Sequence, residues 1–538
     1  MHKNRQKALF ALLGMILVFI TTGCNLFAQQ NDQQQTPTVI TNPTNNVIKQ
    51  ENALPGADSW QIPDGHGASI QIQAYASATS VNPGQSLTFY VSTEKEGTPY
   101  SVNIYRLGWY NGLGARLMTT LPEQPGFAQG YYDRDKHLLI DCTSCRVDTT
   151  TGLVEAGWLP SRTFTIPSSW VTGVYLAKFI DANDLQTYVP FVVKGNPHSL
   201  YIAVTATTTY AAYNDWGGYS LYKIFDNGEE TTGSQIAGLG RGVKVSFDRP
   251  YTRGFGSGDL LLFELDAIHW LERQGYDLSY ISSVDLHENP NQLLQHHVYL
   301  SLGHDEYWSK EMRDGVENAR DHGVSLAFLG ADDAYWQIRF EPDSTGIADR
   351  TIVCYKVAAT AHDLAQDPLY GQDNSRVTSQ WRDPVVNRPE NALIGIMYSS
   401  LTQKQRGFPW KVAAAANSPL LAGTKLQAGQ SYGCGLVGYE WDRIFSNGAT
   451  PIGLQIIGTS PTINDSNRAD SSNTTYYIAS SGAVVFATGS IYWTAALDSY
   501  RFATDQKDIC DNQPTIVLGM QVLMQHVMDA LLTRHIAA

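Results

Sequence analysis

The sequence predicts two architectures in one chain: an antiparallel β-sandwich over residues 61–195, then a parallel-sheet α/β domain over residues 196–538. Three observations predict this. First, from about Ile70 to Val193 the apolar residues alternate with period two, in short runs such as "SIQIQAYAS", "SLTFYVST", "SVNIYRLGWY", "RTFTIPSS" and "GVYLAKFI". Gly, Pro, Asn and Asp separate these runs, as in a sandwich of antiparallel strands. Second, "GNPHSL" near residue 195 is a turn-rich boundary. Third, the rhythm then changes to brief unbroken apolar runs, "SLYIAVTA", "YISSV", "HVYLSLG", "VSLAFLG" and "CGLVGYE", of the kind buried on both faces. Helical patterns lie between some of them, "GSGDLLLFELDAIHWLERQGYD" and "SKEMRDGVENARDHG", and the alternation implies a right-handed parallel sheet.

The first residues are an address. "MHKNRQK" is basic, Ala8–Ile20 is apolar and "TTGC" ends at Cys24, so residues 1–24 form a signal peptide. The Gly-Cys ending resembles a bacterial lipoprotein site, which makes Cys24 the expected lipid-bearing residue and the membrane the expected location outside the cytoplasm. Residues 25–60, rich in Gln, Asn and Thr, read as a disordered tether. A net charge of −14 over 538 residues argues against non-specific nucleic-acid binding. Cys142 and Cys145, in "CTSC", lack a second pair with zinc-site spacing, so a bridge or two idle thiols is expected.

In open parallel sheets ligands bind beyond the carboxyl ends of the strands. The segments that follow the five apolar runs are "TTTYAAYNDWGG", "DLHENP", "HDEYWS", "ADDAYW" and Glu440-Trp441-Asp442. All are rich in acids and aromatics, and a parallel sheet would bring all five to one edge. The sharpest is "GHDEYWS", Gly303 to Ser309, where an apolar run gives way to a helix that Ser309 can cap. Glu306 there suits a metal ligand or a general base, and His304 suits proton transfer near neutrality. Each tyrosine of Tyr210, Tyr213, Tyr219 and Tyr251 is by default a packing residue with a wet hydroxyl. "GFGSG" reads as turn geometry, since it lacks the lysine of a phosphate-binding loop. "GQSYG" around Ser431 precedes a strand instead of following one and makes a poor nucleophile elbow. Cys354 and Cys434 sit in or at strands and read as inert. Metal-activated water or carboxylate acid–base work is the chemistry that remains.

These residues resemble a family. "YRLGWYNGLGARLM", "TYAAYNDWGGYSLY", "FDRPY", "GHDEYWS", "GYEWDR" and "VFATGSIYWTAALD" are similar to stretches of the catalytic large subunit of N,N-dimethylformamidase and its C-terminal-domain relatives. The resemblance implies an immunoglobulin-like sandwich followed by a three-layer α/β domain of the flavodoxin-like or glutamine-amidotransferase-like kind. It implies a mononuclear ferric iron held by two tyrosinates and a glutamate. By motif, the glutamate falls on Glu306, and the tyrosines fall on Tyr213 and Tyr251, with Tyr210 a competitor for the first. His304 and Glu440 take the catalytic positions, and Trp216, Trp308 and Trp336 are offered as pocket walls or as core. The expected reaction is hydrolysis of a C–N amide bond in a small molecule, with oligomerisation left open. Two other classes stay open: a cell-surface binding protein without catalysis, and a metal-free carboxylate hydrolase using Glu306 and Glu440.

Overall fold

In the computed structural model the described residues are Thr41, Pro43, 46–226, 229–230, 240–356, 366–403, 407–498 and 516–536. The signal peptide, Cys24 and most of the expected tether lie outside them. The part of that tether that is described is not disordered. Val47–Asn52 is a short helix, because Asn46 caps it by accepting from Lys49 N at 2.7 Å and Glu51 is fixed by Arg116 at 2.7 Å and Tyr110 at 2.9 Å.

The chain is built of mixed sheets with few helices. In the first half, Ile72–Ala76, Ser86–Thr93 and Arg162–Thr165 form one antiparallel sheet. Pro99–Leu107, Ala115–Pro125, Gly173–Asp181 and Gln186–Val193 form a second, to which Ser80–Val81 adds in parallel. Alternation places Leu87, Phe89 and Val91 of the first sheet against Val102, Ile104, Phe179 and Phe191 of the second, in one buried core. Cys142 and Cys145 are bridged, and Cys354 is a buried free thiol whose pKa burial pushes up to about 11.

The second half holds a seven-stranded sheet. Its strands in chain order are β1 (Tyr201–Thr205), β2 (Leu278–Ser282), β3 (Val298–Leu302), β4 (Ser325–Leu329), β5 (Gln455–Ile463), β6 (Ala469–Ile478) and β7 (Val484–Ala487). They lie in the order β2-β1-β3-β4-β7-β6-β5. The first five in that order are parallel, while β6 and β5 are added antiparallel. Every residue of β1, β3 and β4 is buried, which is why these runs are apolar without alternation. Three helices follow strands of this sheet: α1 (Thr207–Tyr213) and α2 (Leu265–Gln274) lie between β1 and β2, and α3 (Lys310–Asp321) lies between β3 and β4. Met312 and Val316 of α3 pack on Tyr299, Leu326 and Phe328, so this helix covers one face. The helix Leu518–Thr533 packs against β4 and β7. Among the described residues no helix is long and apolar enough to cross a membrane.

One expectation fails here. The "CGLVGYE" run is not a strand of the large sheet: Ser431–Val437 pairs antiparallel with Phe408–Lys411, and Glu440–Arg443 pairs with Met397–Leu401. The alternating glycines of Ser431–Val437, Gly433 and Gly435, both sit at positive φ and suit an irregular ribbon better than a flat central strand.

Candidate functional site

The order β2-β1-β3 makes the gap between β1 and β3 the point where the sheet's winding reverses, and in open α/β sheets ligands bind at such a point beyond the carboxyl ends of the strands. Strand β1 runs into α1, and β3 runs into Gly303. Gly303 takes φ 63°, and a Cβ on Gly330, just past β4, would lie 1.7 Å from the Gly303 carbonyl oxygen. Only glycines let the two strand ends approach this closely and then diverge.

Backbone bonds then fix "HDEYWS" between α1 and the loop after β4. Glu306 N donates to Thr209 Oγ1 at 3.0 Å, and Thr208 Oγ1 donates to the Tyr307 carbonyl at 2.8 Å. Ala334 N donates to the Asp305 carbonyl at 2.8 Å, and Tyr335 N and Trp336 N donate to that of Glu306 at 2.9 and 3.0 Å. Ser309 caps α3 as the sequence suggests, accepting from Met312 N at 3.2 Å.

The result is a buried group of acids around one imidazole. His304 Nε2 lies 3.1 Å from Glu440 Oε2, 3.4 Å from Glu306 Oε2 and 3.9 Å from Asp332 Oδ2. None of these contacts is aligned as a hydrogen bond, and both His304 ring nitrogens, Glu440 Oε2 and Asp332 Oδ1 are left without a hydrogen-bond partner. Two phenols converge on Glu306. Tyr213 donates to Oε2 at 2.8 Å, and Tyr222 reaches Oε1 at 2.7 Å and Oε2 at 2.9 Å. Their rings stack with centroids 4.2 Å apart. Tyr307 donates to the Tyr222 hydroxyl at 2.6 Å, and Lys356 Nζ stands 3.4 Å above the Tyr222 ring. Glu440 arrives from outside the large sheet. Its loop is held by Gly438 N to Ser490 Oγ at 3.0 Å and by Asp332 N to Asp442 Oδ1 at 2.8 Å.

Burial dominates the electrostatics. It pushes the Glu306 carboxyl up, against the pull of His304 and Lys356, and pushes Asp332 well up, with Glu306 adding to it. Burial alone would discharge His304, yet the neighbouring carboxylates, Glu440 foremost, hold its pKa well above the ordinary imidazole value. Burial and Glu306 keep Tyr213 and Tyr222 strongly protonated. Lys356 falls to about 8 through burial, although Glu306 opposes the shift. Acids outnumber the bases in this buried group, a balance that a cation would correct. His304, Glu306 and Asp332 each offer a ligand atom within 4.8 Å of the others, and all three are buried.

Of the residues singled out from sequence, the structure brings together His304, Glu306, Glu440 and Tyr213. It places Tyr251 elsewhere: its ring meets that of Tyr210 edge-on at 6.1 Å. The reason is local. Asn214, at the end of α1, donates to the Pro250 carbonyl at 2.8 Å and accepts from Thr252 N at 3.1 Å, which turns the "RPYT" loop against α1. Tyr210 itself donates to the buried Glu264. "DLHENP" also stays away, since Asp285 caps its own helix at Ser282 and binds Lys194 at 2.7 Å. Trp308 is core, in contact range of Tyr299 and Phe328. Tyr222, Asp332 and Lys356 were not named individually, although Asp332 lies in "ADDAYW", one of the segments expected at the sheet edge. Tyr222 lies inside "TYAAYNDWGGYSLY", so its motif carried a signal, whereas Lys356 had none.

The chain is similar to known proteins. The family described as N,N-dimethylformamidase beta subunit-like, C-terminal, matches residues 101–509. The N,N-dimethylformamidase beta subunit of Alcaligenes sp is 23% identical over 409 residues, 64% of this chain and 52% of that one. That of Paracoccus aminophilus is 24% identical over 409 residues, with the same shares of 64% and 52%. This chain therefore spans about half the length of the curated relatives it matches. A solved cycloisomaltooligosaccharide glucanotransferase of Paenibacillus sp. shares 8% identity at a TM-score of 0.16, over 78% of this chain and 68% of that one, and carries no argument. With most of its length matched, the chain belongs to the N,N-dimethylformamidase beta subunit-like, C-terminal family.

Proposed function

We propose that the protein is a metal-dependent amidohydrolase of the N,N-dimethylformamidase type, cleaving a C–N amide bond in a small molecule. The observation that carries this reading is the buried convergence of Tyr213, Tyr222, Glu306, Asp332 and Glu440 around His304, with four of their polar atoms unpartnered. Phenol and carboxylate oxygens are hard donors suited to ferric iron. Tyr213, Tyr222 and Glu306 would hold it, with Asp332 within reach. Tyr222 thus takes the place that the family resemblance gives to Tyr251. When bound, such an ion polarises an amide carbonyl and lowers the pKa of a coordinated water.

The chain's own groups supply the proton traffic. Glu440 is positioned to accept the proton of the attacking water, and His304 Nε2, 3.1 Å away, is the charged neighbour that can pass a proton to the departing amine. Carboxylates that crowd one imidazole nitrogen leave little space for a sugar between them, which disfavours the metal-free glycan reading. The fold we infer around this site is an immunoglobulin-like sandwich, residues 61–195, on a flavodoxin-like or glutamine-amidotransferase-like domain, residues 196–538. Export with a lipid on Cys24 belongs to the same reading, so Cys24→Ala should move the protein out of the membrane fraction.

The direct test is chemical. Iron-loaded protein given a panel of N,N-dimethylamides, N,N-dimethylformamide included, should release dimethylamine. No dimethylamine from any member of the panel would leave the surface-binding reading in front.

A further inference from the structure

A cavity of about 460 Å³ lies between the Gly67–Gln73 edge of the first half and the Tyr251–Gly256 loop. Pockets of this size hold drug-sized molecules. It is far larger than a one-carbon acyl group requires. Tyr132, Trp216, Tyr251 and Phe255 give it aromatic surface, and Arg253 stands in its wall. The Arg253 guanidinium lies 5.3 Å from the centroid of the Tyr213 ring.

Arg253 has more donors than partners. Its Nη1 meets Asp259 at 2.8 Å, and Nε and Nη2 have no hydrogen-bond partner among the described residues. Asp259 is almost fully buried at 2% exposure, while Arg253 keeps 30% of its side chain accessible on the cavity. A planar guanidinium with a free edge matches a carboxylate in geometry and charge.

We propose that this cavity is the acyl-group chamber of the enzyme and that Arg253 selects amides whose acyl chain ends in a carboxylate. The inference rests on the amidohydrolase reading for its relation to Tyr213 and Glu306, but the chamber and its arginine stand as a binding site without turnover. An amide carbonyl at Glu306 and a carboxylate at Arg253 require an acyl chain of a few methylenes, running past the Tyr213 ring. A neutral chain of the same length gains only the aromatic contacts.

The test uses two matched probes, N,N-dimethylglutaramate and N,N-dimethylpentanamide, which differ by a carboxylate in place of a methyl. Calorimetric binding is measured in a Glu440→Gln background, where turnover does not intrude. The glutaramate should bind about tenfold or more tightly than the pentanamide, and Arg253→Gln should erase that difference. Asp259→Asn, which removes the competing carboxylate, should keep or widen it, and guards against reading a misfolded Arg253 variant as support. Equal binding of the two probes, no binding of either, or a preference that survives Arg253→Gln overturns the proposal. Selective binding without dimethylamine release from the native protein would sustain the chamber and sink the hydrolase reading instead.

Discussion

Glu306→Gln should lose both metal and turnover, whereas Glu440→Gln should keep the metal and lose turnover by a factor of about 10²–10⁴. The expectation comes from what each carboxylate touches. Glu306 is the acceptor for both phenols, so replacing an oxygen by an amide nitrogen removes the anion on which Tyr213 and Tyr222 converge. Glu440 touches neither phenol. Its Oε2 has no hydrogen-bond partner and faces His304, the placement of a proton carrier and not of a structural anchor. Metal analysis alongside single-turnover assays checks the split. Equal metal content and equal residual activity in the two variants would show that the carboxylates do not divide the work.

Arg106→Met should destabilise the protein by about 3–5 kcal/mol, more than any surface charge change, because it strands a buried carboxylate. Arg106 and Glu272 are both fully buried and joined by two parallel bonds of 2.8 and 2.7 Å. The remaining donors are also committed, to the Thr172 carbonyl at 3.1 and 2.7 Å and to the Tyr110 hydroxyl at 3.0 Å. This pair ties a strand of the first half to α2 of the second, and Gly108 leaves room for it, since a Cβ there would lie 2.5 Å from Glu272 Oε2. Arg106→Lys should recover only part of the loss, as an ammonium cannot span both carboxylate oxygens. The double variant Arg106→Met, Glu272→Leu should be more stable than Arg106→Met alone. Denaturant unfolding of the set measures this, and a double variant no better than the single would mean that the buried charge is not the cause.

That ion pair also shows what could and could not be read in the sequence. "YRLGWYNGLGARLM" stands out as a motif, yet its arginine looks like any strand arginine until Glu272, on a distant helix, is seen beside it. "GHDEYWS" was legible because a buried apolar run followed by a capped helix is a local pattern, and strand ends in a parallel sheet are where ligands sit. Glu440 reached the site for a reason that local patterning hides. Its strand lies outside the large sheet, and contacts from Ser490 and Asp332 carry the loop inward. The two tyrosines split similarly. Tyr213 projects from the helix directly after β1, whereas Tyr222, although inside the same motif, depends on how an irregular loop folds back, which the motif does not show.

Visible light absorption tests the central claim most directly. Phenolate bound to ferric iron transfers charge to the metal and absorbs in the visible, which carboxylate, imidazole and water ligands alone do not. Protein purified without chelator should be coloured and carry about one iron per chain. Tyr213→Phe and Tyr222→Phe should each weaken or shift the band, since each removes a hydroxyl from Glu306 and leaves the ring to pack. Tyr210→Phe and Tyr251→Phe should leave it unchanged, because the Tyr210 hydroxyl is bound to Glu264 and Tyr251 packs on Tyr210. A protein that stays colourless and iron-free after reconstitution with ferrous iron in air would contradict the account.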